Sequence, residues 1–543
     1  MKRFLALALS FLMLLGMLLM AGCDNTDEDT TTKPQSSSSS TPKTEESTSS
    51  SSDNGGEDNT TSSSDNGGEE NTTSSSDSDV VDPPFNPDNP TKMPGYLDID
   101  FGGRTFVIVG NHGDDDGHDA ATEIYMDEED ADDQDNPISL AVDQRNQLIE
   151  TLYNCTIKGA KADSPAGDAS KNVLVDGTDQ IDLFNAKYSS TALATSGNNY
   201  NLLTLGSKEI DFTQPWFDQE YVKTYTNKDS SGADKLYSIL GDFALTSFDC
   251  AHALIYNKTV YQNTEEIRDI DIYQLVRDHK WTLDRFMEMV NYAAVDNAVP
   301  GTYKVGDGDI VGWLRTEHAT HGLHVASGLK ILSNENGTFA FEVLKNLASW
   351  TPVLERAAAA WADVKTETIS YSQIPTAVAA GQTLFASEIL RSALHGIDAL
   401  EGAEDVSIGL LPYPVFNEGD NYYHYVDNHF SSYAVPLHVE DVEEVGDFLA
   451  IFAYYSKHIV RPAYVNYYTL QVLGDEESAE MFEIVLDTRT YDAGYTGASL
   501  EGEISGFIKN NKPQTISNYA NAKAKQAETW ITNFVTTISS NQS

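Results

Sequence analysis

The sequence predicts an α/β fold arranged in two lobes. Apolar, β-branched runs of strand length alternate with segments whose apolar residues recur at helical spacing, and this alternation is typical of sheets covered by helices. The part of the chain that is rich in apolar residues begins near residue 96 and holds about 450 residues, more than a single hydrophobic core normally organises. We therefore expect two α/β units, preceded by a non-globular segment.

Several short segments carry strand signals, because they are rich in β-branched or apolar residues and end at Gly, Pro or polar residues. They are 104–110, 154–157, 181–186, 251–256, 310–313, 406–412 and 432–436.

Helices are predicted over 138–152 and around 527–538, where apolar residues recur at spacings of three and four. Another helix is expected to start at Thr282, a good N-cap, with Trp281 and Phe286 placed as a hydrophobic staple. Arg145 falls on the apolar face of the first helix, so we expect it to lie over the core and pair with an acid. Trp350 and Trp361 lie in helical surroundings and are expected to pack.

The first 22 residues have the layout of a secretory signal peptide, with Lys2 and Arg3 before an apolar run and small residues before Cys23. Met20-Ala21-Gly22-Cys23 resembles the bacterial lipobox, with Met where Leu is usual. The resemblance implies that Cys23 is acylated and becomes the mature N-terminus, held at a membrane by two or more acyl chains.

Residues 23–95 are predicted to be a disordered tether rich in Ser, Thr, Asp and Gly. A twelve-residue polar unit occurs at 50–61 and 62–73 and begins again at Ser74. A repeat without an apolar face cannot build a core, so it indicates low complexity rather than a solenoid. A flexible coil of this length spans about 45–50 Å.

The formal net charge of −50 makes nucleic acid an unfavourable partner. The chain has three cysteines, and apart from Cys23 these leave Cys155 and Cys250, as a disulfide or as two buried thiols. No Walker A or G-x-S-x-G motif occurs, so any ATPase must be another chain. The sequence indicates no catalytic residue and no cofactor.

Histidines cluster at His318, His321 and His324, beside Glu317. On a helix, His318 and His321 would share a face and could bind a metal ion, but the spacing is not H-E-x-x-H and Gly322 weakens the helix. We favour a surface histidine patch and predict no metal site.

Five segments, taken together and in order, resemble the extracellular solute-binding proteins of family 1, which serve ABC importers. The segments are 142–154 (VDQRN, then IETLYN), 210–217 (IDFTQPWF), 254–258 (LIYNK), 280–286 (KWTLDRF) and 381–385 (GQTLF) followed by 408–414 (IGLLPYP). The resemblance extends over roughly residues 96–540.

The resemblance implies a two-lobed, periplasmic-binding-protein-like fold of type II, with a hinge and an interlobe cleft. Lobe 1 would comprise 96–248 and 430–470, and lobe 2 would comprise 249–429 and 471–543. Chain crossovers are expected near 245–252, 425–435 and 470. By this resemblance the chain is a monomeric, lipid-anchored binding protein on the extracellular face of the cell membrane. It would close on a small polar solute, a sugar or oligosaccharide, and deliver it to the permease subunits of an ABC importer.

Sugars are bound by aromatic faces and by polar groups around the ring, so residues on loops that follow strands are the expected ligand contacts. These are Lys187, Tyr188, Ser189, Trp216, Trp313, Ser387, Glu388, Arg391, Asn428 and His429. For Trp216 a packing role is weighed equally.

The sequence is also compatible with two other functions. Abundant carboxylates are compatible with a cell-surface glycoside hydrolase, which needs an acid and a base or nucleophile. An adhesin or scaffold lipoprotein would have the same anchor and tether but no small ligand. The sequence leaves the identity of the solute open, including whether it is a sugar.

Overall fold

The strands of this chain form two main mixed sheets, each built from residues far apart in sequence. The computed structural model describes residues 85–541 except 88, 112–121, 127–133, 163–165, 167–179, 188–189, 209, 399–406 and 438. The predicted signal peptide, Cys23 and most of the predicted tether lie outside the described residues.

The described strands are short, and several of them are buried along their whole length. They are β1 (Arg104–Asn111), β2 (Cys155–Ala162), β3 (Leu183–Lys187), β4 (Asn227–Lys228), β5 (Asp234–Lys235), β6 (His252–Asn257), β7 (Val311–Arg315), β8 (Leu332–Glu335), β9 (Thr338–Phe341), β10 (Thr366–Thr368), β11 (Thr383–Ile389), β12 (Ile408–Leu411), β13 (His424–Tyr425), β14 (Ser431–Ala434) and β15 (Arg489–Thr490).

The described α-helices cover both main sheets. They are α1 (Pro137–Tyr153), α2 (Ser190–Thr195), α3 (Gln219–Tyr225), α4 (Leu245–Asp249), α5 (Lys258–Asn263), α6 (Ile272–Arg277), α7 (Leu283–Ala293), α8 (Ala319–Val325), α9 (Glu342–Lys345), α10 (Leu347–Trp361), α11 (Ile374–Ala379), α12 (Leu390–Asp398), α13 (Val442–Tyr455), α14 (Arg461–Asn466), α15 (Glu477–Asp487), α16 (Ala493–Thr496), α17 (Gly502–Lys509) and α18 (Ile516–Ser540). Among the described residues, no helix combines the length and the apolar character needed to cross a bilayer.

The first sheet has the strand order β14-β3-β1-β2. Strands β1, β2 and β3 are parallel, whereas β14 runs antiparallel to β3. The second sheet has the order β10-β7-β11-β6-β12, in which β6 alone runs antiparallel to its neighbours. Strand β6 is where the chain enters the second sheet, and β14 is where it returns to the first sheet. This is the predicted two-lobed α/β fold.

Three chain segments lie side by side where the chain passes between the sheets. Ala251 bridges Val426, and the Asp427 N–H donates to the Cys250 carbonyl over 2.9 Å. Strand β13 in turn pairs in parallel with β15. The segments around 250, 426 and 489 therefore form a three-strand hinge region.

A helical segment from α13 to residue 472 also links the two sheets. Helix α13 packs on α1 beside the first sheet, and α15, which follows the segment, packs on β12 of the second sheet. Two π-helical stretches, Ser456–Val460 and Tyr467–Val472, interrupt the α-helical hydrogen bonding. Short π-helical stretches within α-helices are frequently found at functional sites.

Arg145 is fully buried on α1, as its position on the apolar face predicts. Its guanidinium donates to the carbonyls of Glu123 and Ile124 over 3.1 and 3.0 Å, and to the Ser456 hydroxyl. It also lies 3.9 Å from the centre of the Phe452 ring. The expected acid partner is thus replaced mainly by backbone oxygens, which satisfy a buried guanidinium as well.

Local helix signals are confirmed where the sequence shows them. The Thr282 side chain accepts from the Arg285 N–H at the start of α7, and the rings of Trp281 and Phe286 meet edge to face at 5.9 Å. Cys155 and Cys250 are both buried and unpaired, so the open choice is resolved as two thiols.

Residues 85–95, which the sequence analysis assigns to the tether, pack against the first lobe. Phe85 stacks on His458 with ring centres 4.7 Å apart. The Met93 N–H donates to the Tyr153 hydroxyl over 2.6 Å, and the Tyr455 hydroxyl donates to the Thr91 carbonyl over 2.7 Å. The globular part therefore begins about ten residues earlier than expected, because Phe85 and Met93 supply apolar surface that the polar repeat lacks.

Candidate functional site

The carboxyl ends of the parallel strands meet the hinge region at one edge of each sheet. Lys187, the last residue of β3, is paired with Ser431, the first residue of β14. Glu388 and Ile389 at the end of β11 are paired with Ala253 and His252 at the start of β6. In open α/β sheets this edge is where ligands bind.

Asp427 is the central polar residue of this edge and is 5% exposed. Its Oδ2 lies 3.3 Å from His318 Nδ1, and its Oδ1 accepts from the ring and the backbone N–H of His429. Burial alone would raise the pKa of Asp427, yet the hydrogen bonds with His318 and His429 outweigh burial and lower it. Asp427 is therefore a fixed negative charge that orients two imidazole rings.

His318 belongs to the loop that follows β7, so Asp427 ties the hinge to the second sheet. The hydrogen bond with Asp427 raises the pKa of His318 above its ordinary value, against the effect of burial. The His318 side chain remains 54% exposed. Its ring is thus held on one side and open to solvent on the other.

Lys187 and Glu388 approach the same place from the two sheets. Burial lowers the pKa of Lys187, and Asp427 is among the charges that oppose this shift. Burial raises the pKa of Glu388, and both His318 and Asp427 act on it electrostatically. We name the set Lys187, His318, Glu388, Asp427 and His429 the hinge cluster.

Arg391, at the start of α12, lies beside the hinge cluster. Its Nη1 is 3.5 Å from Asp249 Oδ2, and the Tyr464 hydroxyl donates to the other Asp249 oxygen over 2.7 Å. Asp249 is the last residue of α4, just before the hinge. Arg391 is therefore held by the hinge while its side chain stays partly exposed.

Asn428 lies between Asp427 and His429 in the sequence and is half-buried. Its Nδ2 donates to the Tyr495 carbonyl over 3.4 Å, while its Oδ1 is buried without a hydrogen-bond partner among the described residues. A buried acceptor without a donor is unfavourable and is usually satisfied by water or a ligand.

The three clustered histidines have different environments, which corrects the expected surface patch. His324 is fully buried, stacks on Trp350 at 4.6 Å and lies 2.8 Å from the Tyr495 hydroxyl. His321 packs edge to face on Tyr425 and Tyr495. Burial lowers the pKa of His324 to about 3 and that of His321 to about 4, so both are neutral at pH 7. In the part of the chain that the structure describes, no group of side chains has the arrangement of a metal site.

Trp313 and Ser387 lie in the core of the second lobe rather than at its edge. Both are fully buried, and the Trp313 indole N–H donates to the Ser387 hydroxyl over 2.9 Å. The indole also meets Phe286 edge to face at 5.2 Å. This placement gives the two side chains packing contacts and no solvent-facing surface.

Trp216 is half-buried in the first lobe. Its ring meets Tyr454 of α13 edge to face at 5.2 Å, and its carbonyl accepts from the Asp242 N–H over 3.1 Å. These contacts favour the packing alternative for Trp216. Tyr188 and Ser189, expected as ligand contacts, lie outside the described residues.

Two hinge-cluster residues, Asp427 and His318, are not among the ligand contacts that the sequence predicts. Asp427 directly precedes Asn428 and His429, so the signal was present one position away. From the sequence, His318 is weighed as a metal ligand or as part of a surface patch, because its contact with Asp427 joins residues far apart in the chain.

No protein-family description matches this sequence, and no curated protein matches it. Solved structures of similar fold do match it. A family 1 extracellular solute-binding protein from Bifidobacterium longum subsp. infantis is 15% identical, with a TM-score of 0.46 over 78% of this chain and 99% of that one. The galacto-N-biose-/lacto-N-biose I-binding protein of the ABC transporter from Bifidobacterium longum, in complex with lacto-N-biose, is 13% identical, with a TM-score of 0.47 over 80% and 98%. An ABC substrate-binding protein from Listeria monocytogenes, in complex with cycloalternan, is 14% identical, with a TM-score of 0.45 over 78% and 99%.

Proposed function

We propose that this protein binds a small, uncharged polar solute, most simply a sugar or oligosaccharide, between its two lobes and delivers it to an ABC importer. One observation carries the proposal. Asp427 holds polar side chains at the edge where the carboxyl ends of both sheets meet, directly on the hinge. A ligand that contacts this edge would contact both lobes and the segments about which they turn.

The charges at this edge support an uncharged ligand. Asp427 contacts both His318 and His429, and Arg391 is paired with Asp249. In these contacts the polar groups face one another and still leave hydrogen-bonding atoms for a ligand. Hydroxyl groups of a sugar both donate and accept, so they suit a site that offers imidazole, ammonium, carboxyl and amide groups together.

Binding between the lobes would favour the closed arrangement, because only that arrangement lets the ligand contact both sheets. The first test is a titration of the purified protein with a panel of mono- and oligosaccharides, followed by calorimetry and small-angle X-ray scattering. We expect at least one sugar to bind and to decrease the radius of gyration. An unchanged radius and no heat across the whole panel would refute the proposal.

Variants locate the site. Lys187→Met and Tyr188→Ala are each expected to weaken binding of the identified sugar by about tenfold or more, equivalent to about 1.4 kcal/mol. Tyr292→Ala, which removes an exposed aromatic side chain of α7, is the matched control and should leave affinity unchanged. If all three variants bind as the wild type does, the ligand occupies another place.

We also propose that Cys23 carries a lipid anchor and that residues 24–84 act as the tether that spaces the lobes from the membrane. The lipobox-like sequence and the polar repeat support this. Cys23→Ser should move the protein from the membrane fraction to the medium. Retention of the variant in the membrane would contradict the anchor without touching the ligand site.

A glycoside hydrolase is the alternative function, and one observation is compatible with it. The pKa of Glu388 is raised and that of Asp427 is lowered, and carboxyl groups with separated pKa values are typical of the acid and base of a glycoside hydrolase. Incubation with model glycosides distinguishes the two functions. We expect no release of the leaving group above buffer, and turnover abolished by Glu388→Gln would establish the hydrolase instead.

A further inference from the structure

The hairpin of β8 and β9 extends from the second lobe and contacts the first lobe at its tip. It follows α8, which itself follows β7 of the second sheet. Its two strands pair as far as Glu335 opposite Thr338, so Asn336 and Gly337 form a two-residue turn. Their φ angles are 54° and 85°, and positive φ at both positions is characteristic of a tight type I′ turn. The tip of the hairpin therefore has a defined shape.

The tip is joined to the first lobe by the side chain of Asn334. Its Nδ2 donates to the carbonyls of Thr224 and Thr226 over 3.0 and 2.7 Å. These carbonyls lie at the C-terminal end of α3, where a helix leaves acceptors without partners of its own. The Oδ1 of the same side chain accepts from the Gly337 N–H over 2.9 Å. One amide group thus fixes the turn and binds it to the other lobe.

Two further contacts between the lobes surround Asn334. The Lys228 N–H donates to the Gly337 carbonyl over 2.7 Å, and the Lys330 ammonium pairs with the Glu220 carboxylate. Asn334 itself is half-buried. Water can therefore replace these polar contacts when the lobes separate, which makes the connection reversible.

The residues on the two sides of these contacts belong to different lobes. Helix α3 and strand β4 lead to Ile239, which forms a bridge with Tyr433 of β14 in the first sheet. After the hairpin, α10 sets Trp361 edge to face against Trp313 of β7 in the second lobe, with ring centres 6.5 Å apart. The hairpin thus connects the lobes in addition to the three hinge segments.

Helix α18 supports the hairpin and reaches the first lobe as well. Phe339 of β9 packs on Trp530 and Phe534 of α18, with ring centres 5.5 and 5.2 Å apart. Directly after α18, the Asn541 Nδ2 donates to the Ala194 carbonyl of α2 over 3.0 Å. Helix α2 follows β3, so this contact lies next to the edge where a solute is expected.

We propose that the β8–β9 hairpin, residues 332–341, is a clasp that stabilises the closed arrangement of the two lobes, and that a solute enters the site only after the clasp is released. The second part rests on the proposed function, in which the solute lies between the lobes. The clasp contacts form between protein groups, so they favour closure before any ligand binds. The clasp and the solute stabilise the same arrangement, and each should therefore strengthen the other.

Asn334→Asp releases the clasp while it preserves the turn. A carboxylate at this position still accepts from the Gly337 N–H, but it cannot donate to the two carbonyls of the first lobe. Asn291→Asp is the matched control, because the Asn291 Nδ2 donates to the Met287 carbonyl within α7 over 2.7 Å and contacts no other lobe.

Hydrogen-exchange mass spectrometry of the ligand-free protein follows the clasp through the Lys228 N–H. Exchange in the peptide that contains Lys228 should be about tenfold faster in Asn334→Asp and unchanged in Asn291→Asp. The Ile239 N–H, which donates to the Tyr433 carbonyl within the first lobe over 2.8 Å, is the internal reference and should not change. Small-angle X-ray scattering should show a larger radius of gyration for Asn334→Asp.

Two results without ligand would overturn the clasp. Equal exchange at Lys228 in the wild type and in Asn334→Asp would show that the hairpin does not hold the first lobe. Faster exchange at an unchanged radius would show that the hairpin opens alone, without movement of the lobes. If Asn334→Asp does not fold, Lys330→Gln removes the ion pair with Glu220 and should change both measurements in the same direction.

The identified sugar tests the role in solute entry. It should slow exchange at Lys228, and Asn334→Asp should release it at least about threefold faster than the wild type does. An unaltered release rate at a larger radius would overturn this role. If no sugar binds, the proposed function fails, while the exchange and the radius of the ligand-free protein still decide whether the clasp exists.

Discussion

His318 Nδ1 lies 3.3 Å from Asp427 Oδ2. The histidine follows β7 of the second sheet, and the aspartate lies in the segment that leads into β14 of the first sheet. The contact therefore joins one lobe to the hinge at the edge where a ligand is expected. Because the histidine ring stays partly exposed, its protonation can be followed directly.

The pKa of His318 should depend on the charge of Asp427. Asp427→Asn should lower the pKa of His318 towards or below its ordinary value, because the hydrogen bond that raises it loses its charged acceptor. An NMR titration of the histidine C–H resonances measures the change. Glu317→Gln, which removes the exposed carboxylate that pairs with Lys509, is the control and should shift the pKa of His318 less. An unchanged pKa in Asp427→Asn would contradict the contact.

A variant of Trp313 distinguishes a packing role of this side chain from a role in ligand binding. Trp313→Phe should lower the free energy of unfolding by about 1–3 kcal/mol, since it leaves a small cavity and removes the hydrogen bond to Ser387. The affinity for the identified solute should change less than about threefold. Urea unfolding and calorimetry measure the two quantities, and Trp530→Phe on the half-buried face of α18 is the control for stability. A large loss of affinity without a change in the free energy of unfolding would indicate that Trp313 contacts the ligand.

The burial of His252 predicts how the free energy of unfolding depends on pH. It is fully buried, neither ring nitrogen has a hydrogen-bond partner among the described residues, and burial lowers its pKa to about 3. The rings of Tyr413 and Tyr425 pack against it, and the charges that act on it include Asp427 and the neighbouring histidines. The unfolded chain binds this proton near pH 6.5, so stability is full above that pH and is lost as the pH falls towards 3.

His252→Phe should therefore make the free energy of unfolding less dependent on pH. Between pH 5.5 and 4.5 the slope should fall by about 1.4 kcal/mol per pH unit, the contribution of one proton. Tyr425→Phe alters the neighbouring ring, whose pKa lies far above this range, and should leave the slope unchanged. Equal slopes for wild type and His252→Phe would show that this histidine does not titrate as predicted.

Because residues 85–95 pack on the first lobe, two truncations that differ only in this segment should differ in their free energy of unfolding. Removal of residues 24–84 should leave the free energy of unfolding nearly unchanged, because their composition offers very little apolar surface to a core. Removal of residues 24–95 should lower it by about 2–4 kcal/mol, since the contacts of Phe85 and the hydrogen bonds of Thr91 and Met93 are lost. Thermal and urea unfolding of the two proteins tests this. Equal stability would mean that the segment only rests on the surface.

Local sequence signals predict the helices and strands of this chain better than they predict its candidate site. Strand β1 and helices α1 and α7 follow from apolar spacing and from the cap at Thr282, which are local signals. No local signal shows which residues of β11 could contact a ligand, because all seven residues of this strand are buried. Ser387 and Glu388 are adjacent, yet the first lies beside Trp313 in the core and the second near Asp427.

The sequence by itself predicted the alternation of strands and helices, an N-terminal segment that resembles an export signal, and the polar repeat. These features depend on composition and on spacings within a few residues. Only the tertiary structure decided that His318 meets Asp427 and that Trp313 is buried. Each of these depends on which strands pair and in which register, and residues separated by more than seventy positions become neighbours only when the sheets are assembled.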